Sequence, residues 1–266
     1  MKFSSINSTA VWTASLRAQE HDKGNSINDP YAKLFLHLAD DQVLDRFKNL
    51  EKPKVSIISR YQFIDEYLSD ILESNSEQDI VSIGSGFDCR PFRLKKGKWY
   101  EFDQTPVIQC KDDILPAHQC PNSLKRICGD ITSVDFLNDL KDLHLHHPVF
   151  VIEGVINYLP ERDAEVLLKG VKTIYPGSVI ICDMMNATFY NKYAKDFRNV
   201  INSIGLHYQF LRDDTTRFLS ELKFTIEESH SIVDLTIKQG MRNVPKLIRN
   251  LFLRKLFEGY TLYILR

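Results

Sequence analysis

Apolar residues recur at helical spacing between positions 55 and 74, where Ile57, Ile58, Tyr61, Ile64, Leu68, Ile71 and Leu72 fall on one broad stripe. That period predicts a helix, closed by the polar run from Glu73 to Gln78. Beyond it the pattern changes. Short, mostly apolar runs at 80–83, 98–102, 126–128, 149–152 and 179–182 alternate with helical stretches at 106–114, 134–140 and 162–173. Apolar strands separated by crossover helices predict a parallel sheet covered on both faces. Before the long helix, 8–18 reads as a helix, and Asp29-Pro30 as a cap and first-turn proline opening another through Leu38. Residues 49–54, with Pro53, read as a loop. After position 185 the pattern predicts helices at 197–204, 216–222 and 245–256, with strands at 223–227 and 260–265. The fold class is therefore α/β and Rossmann-like, with a mostly parallel seven-stranded sheet and helices on both faces.

The bulk numbers narrow the picture. A chain of 266 residues that is 43% hydrophobic can bury a core without disulfide or metal staples. Its net charge of −1 argues against a nucleic-acid or membrane-surface protein. No stretch approaches the ~20 apolar residues of a membrane span, and the N-terminus has no apolar signal region. Five scattered cysteines without a CxxC pair read as reduced thiols of a cytoplasmic protein. The expectation is a monomer or weak oligomer.

Candidate chemistry gathers where strands end. Gly84-Ser85-Gly86 follows the first strand directly, so backbone can approach a ligand with no Cβ in the way. A dinucleotide fingerprint asks for a third glycine at position 89. Cys89 stands there instead, which disfavours NAD and leaves an NAD-dependent oxidoreductase as a weaker alternative. Asp103 ends the second strand and can accept hydrogen bonds from both ribose hydroxyls of a nucleoside, or simply cap a helix. Asp130, after the third strand, can accept from an adenine amine with Ile131 on the ring, or serve as a turn aspartate. Arg60 and Arg17 can hold an α-carboxylate in bidentate geometry, or snorkel. His144, His146 and His147 lack metal-ligand spacing and read as a surface loop, so no metal is expected.

Gly84-Ser85-Gly86-Phe87-Asp88-Cys89-Arg90-Pro91-Phe92-Arg93-Leu94 resembles the GxGxDTRxxRL signature of the leucine carboxyl methyltransferase superfamily, which includes bacterial O-methyltransferases of polyketide-modifying type. Trp99 to Pro106 followed by Lys111 is similar to that family's (W/Y)FEVDxP…K segment. Thr13 to Ala18 with Asp29-Pro30-Tyr31-Ala32 is similar to AALRAxE…DPYA. Gly129-Asp130-Ile131 and Glu153 to Leu159 are similar to ADL and ExVxxYL. The resemblance covers residues 9–185. It implies a class I methyltransferase fold and S-adenosylmethionine as cofactor. Arg60 and Arg17 would then hold the cofactor's carboxylate, and Gly84, with Ser85 and Gly86, would admit its methionine part. Asp103 would bind the ribose, Asp130 with Ile131 the adenine, and Glu153 would lie near the methionine amine, with Gln104 also among the cofactor-binding residues. Cys89 departs from the family's threonine. Asp88, Arg90 and Arg93 would fix the turn.

The resemblance also implies a division into a helical cap at 1–54 and a methyltransferase domain at 55–266, with a lid insertion near 235–257. Tyr158 and Arg242 are candidate acceptor contacts. The acceptor would be an oxygen, a carboxylate or a phenol, on a small molecule or peptide. A carboxylate needs no base, whereas a phenol benefits from one. No catalytic base stands out: His207, His230 and Tyr158 are candidates, and each is better read as structural. The segment 238–255 carries Lys238, Arg242, Lys246, Arg249, Arg254 and Lys255 with no acid, so a packed helix with a solvated basic face and a basic lid both fit. A catalytically silent S-adenosylmethionine-binding regulator is a third reading.

Overall fold

The computed structural model describes residues 5–38, 41–241 and 254–266. Seven strands form one sheet: β1 (Asp79–Ile83), β2 (Lys98–Asp103), β3 (Ser123–Cys128), β4 (Val149–Ile152), β5 (Val179–Met185), β6 (Ile226–Ser231) and β7 (Tyr260–Leu265). Their order is β3-β2-β1-β4-β5-β7-β6. Neighbours among the first five pair in parallel, and β7 runs antiparallel between β5 and β6. The chain winds outward in one direction from β1 to β3 and returns to lay β4 on β1's other side. That reversal opens a crevice at the carboxyl ends of β1 and β4.

Twelve α-helices of the described residues surround the sheet: α1 (Ser5–Asp22), α2 (Asp41–Phe47), α3 (Glu51–Ser74), α4 (Arg90–Arg93), α5 (Thr105–Ile114), α6 (Val134–Lys141), α7 (Glu161–Ile174), α8 (Ala187–Lys192), α9 (Lys195–Ser203), α10 (Thr215–Glu221), α11 (Ile232–Lys238) and α12 (Arg254–Phe257). Central strands bury both faces, so successive residues enter different cores. Ile80, Val149, Val151, Ile181, Leu262 and Ile264 pack with Ile58, Ile64, Leu68 and Leu72 of α3. Val81, Phe150, Ile152, Ile180, Cys182 and Tyr263 pack with Phe136 and Leu140 of α6 and Leu167, Leu168 and Val171 of α7. Ile64 and Leu68 are wholly excluded from solvent, a burial that contributes roughly 1.5–3 kcal/mol per side chain. A third cluster joins Val11, Ala14 and Ala18 of α1 to Phe35, Phe87, Phe92 and Val107, fastening the N-terminal segment over the end of β1.

The strands at 149–152 and 260–265 fall where the pattern places them, while several other bounds differ for physical reasons. The long helix begins at Glu51 rather than Val55. Pro53 sits in its first turn, where the missing N–H has no intrahelical acceptor to lose. The boundary drawn after residue 54 consequently falls inside α3. The segment after Asp29-Pro30 is a short 3₁₀ helix, Ala32–Leu38, and Asp29 Oδ1 accepts from the Tyr31 and Ala32 N–H groups at 3.2 and 3.0 Å. The strand read at 223–227 is β6, three residues later. Lys223 takes a left-handed φ of 62° and Phe224 still bonds back to Leu219 O, so the chain is closing α10 there. β6 lies at the sheet's edge with Glu227, Glu228 and Ser229 exposed, and such polarity hides an edge strand from hydropathy. The helix read at 245–256 and the core of the lid at 235–257, with Arg242, lie largely outside the described residues.

Among the described residues no helix is long and apolar enough to cross a membrane. All five cysteines are free thiols.

Candidate active site

β1 hands over to α4 through a turn that only glycine suits at two positions. Gly84 and Gly86 have φ of +69° and +47°. A Cβ on Gly84 would run into Val155 Cγ2, in the loop after β4. The turn is tied to β2 because Gly84 and Ser85 both donate to Phe102 O, at 2.8 and 3.1 Å. Asp103 completes the tie. Its Oδ2 accepts from Gly86 N at 2.6 Å and its Oδ1 from Gln104 N at 2.7 Å, at the start of α5. Burial pushes the Asp103 carboxyl above its ordinary value, more than the two N–H donors pull it down. Behind it Lys111 of α5 and Glu101 of β2, both fully buried, pair at 2.6 Å and clamp helix to strand.

A continuous chain of buried ion pairs underlies this turn. Arg17 of α1 pairs with Asp29 at 2.9 Å, and Asp29 lies 3.7 Å from Arg93. Arg93 and Arg90 share Asp65 of α3 at 2.7 and 2.6 Å. Arg90 also reaches Asp88 at 3.0 Å and Glu153 at 2.8 Å. Glu153 passes on to Arg60 at 3.0 Å, and Arg60 to Asp183 of β5 at 2.8 Å. Tyr260 OH donates to Asp183 at 2.9 Å and also contacts Arg60 Nη1. Tyr61 lies at the centre: Arg90 stacks on its ring at 3.8 Å, and its hydroxyl donates to Asp88 Oδ1 at 2.5 Å. Burial pushes the Asp88 and Glu153 carboxyls up, but Arg90, with Arg17 for Asp88 and Arg60 for Glu153, outweighs it and holds both below the usual carboxylate range.

These parts wall a cavity of about 470 Å³ at the carboxyl ends of β1, β2 and β4. Arg17, Arg60, Gly84, Ser85, Gly86, Asp103, Gln104, Asp130, Ile131, Glu153 and Tyr158 all line it, so positions from 17 to 158 converge on one site. Arg60 enters already committed, with Nε on Glu153 and Nη1 on Asp183 and Tyr260, and its Nη2 has no hydrogen-bond partner among the described residues. Arg17 is similarly held by Asp29 and by Phe87 O. Asp130 Oδ1 accepts from Thr132 N and Oγ1, at 2.9 and 2.7 Å, forming an Asx turn at the cavity's lip. Cys89 is fully buried beneath the turn, and its thiol faces Phe87 O.

The other end of the cavity is aromatic, built from Trp12, Tyr158, Phe189, Phe197, Tyr208 and Tyr260. Tyr158 and Tyr208 meet edge to face at 4.8 Å. Burial pushes the Tyr158 phenol up to about 12, despite hydrogen bonds with Thr9 and Tyr208, and pushes Tyr208 well above its ordinary value. Both are hydrogen-bond donors at neutral pH. Neither His207 nor His230 lines the cavity: His207 is exposed beside Asn202, and His230 lies on Phe63 and pairs with Glu228 at 2.7 Å. His144, His146 and His147 line a separate open groove of about 390 Å³ at the amino ends of the strands, where His146 N donates to Asp79 of β1. Among the described residues no cluster of His, Cys, Asp or Glu is arranged to hold a metal.

Sequence reasoning assigned no role to Asp183, Tyr260, Tyr208 or Tyr61. Asp183 had left a signal, an acid inside the otherwise apolar stretch from Val179 to Met185. The tyrosines sit in amphipathic patterns where an aromatic reads as core.

An open, mostly parallel sheet with a glycine turn and an acid at the crevice defines a nucleoside-cofactor enzyme of the class I methyltransferase fold. Comparison with known proteins makes this specific. The sequence model of leucine carboxyl methyltransferase matches residues 10–172, and the chain belongs to that family. It is an S-adenosylmethionine-dependent methyltransferase. A Mycobacteroides abscessus protein named "Putative S-adenosyl-L-methionine-dependent methyltransferase" is 26% identical over 271 residues, covering 92% of this chain and 87% of its own. One of the same name from Mycobacterium tuberculosis H37Ra is 27% identical over 215 residues, covering 70% of this chain and 67% of its own. Among solved structures, a DUF574 family protein of Streptomyces avermitilis superposes with a TM-score of 0.59 at 12% identity, covering 95% of this chain and 96% of that one. A "putative methyltransferase" of Thermobifida fusca gives 0.57 at 13%, covering 94% and 93%. At such identities the structures establish the fold alone.

The cavity itself fits the cofactor. Ser85 Oγ is buried in its wall and has no hydrogen-bond partner among the described residues, as expected of a group kept for a ligand. The alternative of a nicotinamide dinucleotide falls with the family assignment.

Proposed function

We propose that this methyltransferase acts on oxygen, and that its acceptor is a carboxylate carried on a small apolar or aromatic molecule or on a peptide. The observation that supports this reading is the aromatic end of the cavity, which among the described residues offers phenol donors and no base. No histidine among the described residues lines the cavity, and a phenol pushed up to about 12 takes no proton at neutral pH. An acceptor with pKa near 4 arrives ionised and needs none, whereas a phenol near 10 would need help. Tyr158 then orients the acceptor oxygen by donating to it, and the surrounding rings exclude water from the reaction.

On the cofactor side, Asp103 and Gln104 hold the ribose, Asp130 and Ile131 the adenine, and Ser85 with the Gly84 and Gly86 backbone admits the methionine part. Arg60, through Nη2, and Arg17 face its carboxylate, and Glu153 its amine. When bound, S-adenosylmethionine supplies an electrophilic methyl group on a sulfonium. Helix α1 contributes Thr9, Trp12 and Arg17 to the wall and serves as a cap.

The test is transfer of labelled methyl from the cofactor into a panel of aromatic and aliphatic acids and matched phenols. Carboxyl methyl esters release their label as methanol in mild alkali, and phenol ethers do not. Alkali-labile product with a rate flat between about pH 6 and 9 is expected for a carboxylate. Alkali-stable label, or a rate rising tenfold per unit towards pH 9, would sink the reading.

A further inference from the structure

The buried ion-pair chain does not balance. It runs from Arg17 through Asp29, Arg93, Asp65, Arg90, Glu153 and Arg60 to Asp183, with Asp88 as a branch on Arg90. Four guanidiniums face five carboxylates, and none of these side chains is more than 15% exposed. Among the described residues the other charged side chains lining the cavity, Lys52, Asp103 and Asp130, add one more negative charge, and Asp103 is buried. Tyr61 and Tyr260, whose phenols burial pushes well above their ordinary values, add none.

An unbalanced buried charge is poorly screened by solvent or salt, so it favours any ligand that brings the opposite charge. At neutral pH S-adenosylmethionine carries a sulfonium, an ammonium and a carboxylate, a net +1. After the methyl group has left, the thioether product carries only the last two, a net zero. We propose that this anionic network makes the site charge-selective, holding the cationic cofactor more tightly than its neutral product. One unit charge about 10 Å away, across an effective dielectric of about 20, is worth roughly tenfold in affinity. Selection of this kind favours product release and resists product inhibition. It concerns the cofactor end of the cavity and is independent of which oxygen receives the methyl group.

Calorimetric titration of the full-length protein at 0.15 M salt tests it with three ligands. These are S-adenosylmethionine, S-adenosylhomocysteine and the isostere with a C–NH₃⁺ group in place of the sulfonium. The cofactor and the cationic isostere are expected to bind about tenfold more tightly than S-adenosylhomocysteine. Asp65→Asn removes one negative charge from a position that does not line the cavity. It should weaken both cationic ligands several-fold and leave S-adenosylhomocysteine unchanged or tighter. Equal or tighter binding of S-adenosylhomocysteine to the wild-type protein overturns the proposal. So does an Asp65→Asn variant that weakens all three ligands alike, the result a merely structural role would give. If that variant does not fold, the wild-type ligand series decides alone.

Discussion

Removing the Asp183 side chain should be among the most damaging single changes in this protein, although sequence reasoning gave that residue no role. The carboxylate is wholly buried and accepts three hydrogen bonds: Gly154 N at 2.6 Å, Arg60 Nη1 at 2.8 Å and Tyr260 OH at 2.9 Å. Bonds to a charged group contribute about 1.5–3 kcal/mol each, so the gross loss is several kcal/mol. Part is offset because the carboxylate itself is no longer desolvated. What remains is chiefly the cost of a buried guanidinium stripped of a partner, and a net loss of about 3–5 kcal/mol is expected for Asp183→Ala. That is a large fraction of the roughly 5–15 kcal/mol that stabilises a typical domain. Asp183→Asn keeps an acceptor for Gly154 N but turns an amide NH₂ towards Arg60 and Tyr260, and should cost less, about 2–3 kcal/mol. Urea unfolding followed by far-ultraviolet circular dichroism measures both. Pairing Asp183→Ala with Arg60→Met removes the orphaned charge, so the double variant should lose at least ~1 kcal/mol less than the sum of the singles. A loss below ~1 kcal/mol for Asp183→Ala, or strict additivity in the double variant, would refute the reasoning.

Gly84→Ala forces a Cβ both into a left-handed backbone conformation and against Val155 Cγ2, and should destabilise by about 2–4 kcal/mol. Adding Val155→Ala should restore the steric part but leave the ~1–2 kcal/mol of backbone strain; a double variant no more stable than Gly84→Ala would contradict the assigned contact. High pH probes the aromatic end of the cavity. Burial holds Tyr158 up at about 12, against 10 for an unburied phenol, so between those values the folded chain binds more protons than the unfolded one. Stability is therefore intact below pH 10 and falls as pH rises through the folded value. Tyrosinate absorbance should include a late step that coincides with loss of ellipticity, and full tyrosine ionisation near pH 10 without unfolding would count against it.

Much of this protein was legible along the chain, because the signals involved are local. Mostly apolar runs marked the central strands, since a strand buried on both faces favours apolar residues at successive positions. The positive φ values at Gly84 and Gly86 require glycine, and so leave a mark in the sequence itself. The order of motifs from Gly84 to Leu159 identified the family and its cofactor before any contact was known. Boundaries shifted where a local rule admits an exception, as with Pro53 in the first turn of α3, or where edge polarity masked β6. Tertiary structure alone decided how the charges are used. Arg60 reads in sequence as one cation on a helix. Folding sets Glu153, Asp183 and Tyr260 around it, from three segments 93 to 200 residues away. Whether a buried arginine is free to grip a ligand depends on what already holds it. Partners that distant become neighbours only when the sheet has formed, so the charge balance of the site is a property of the fold.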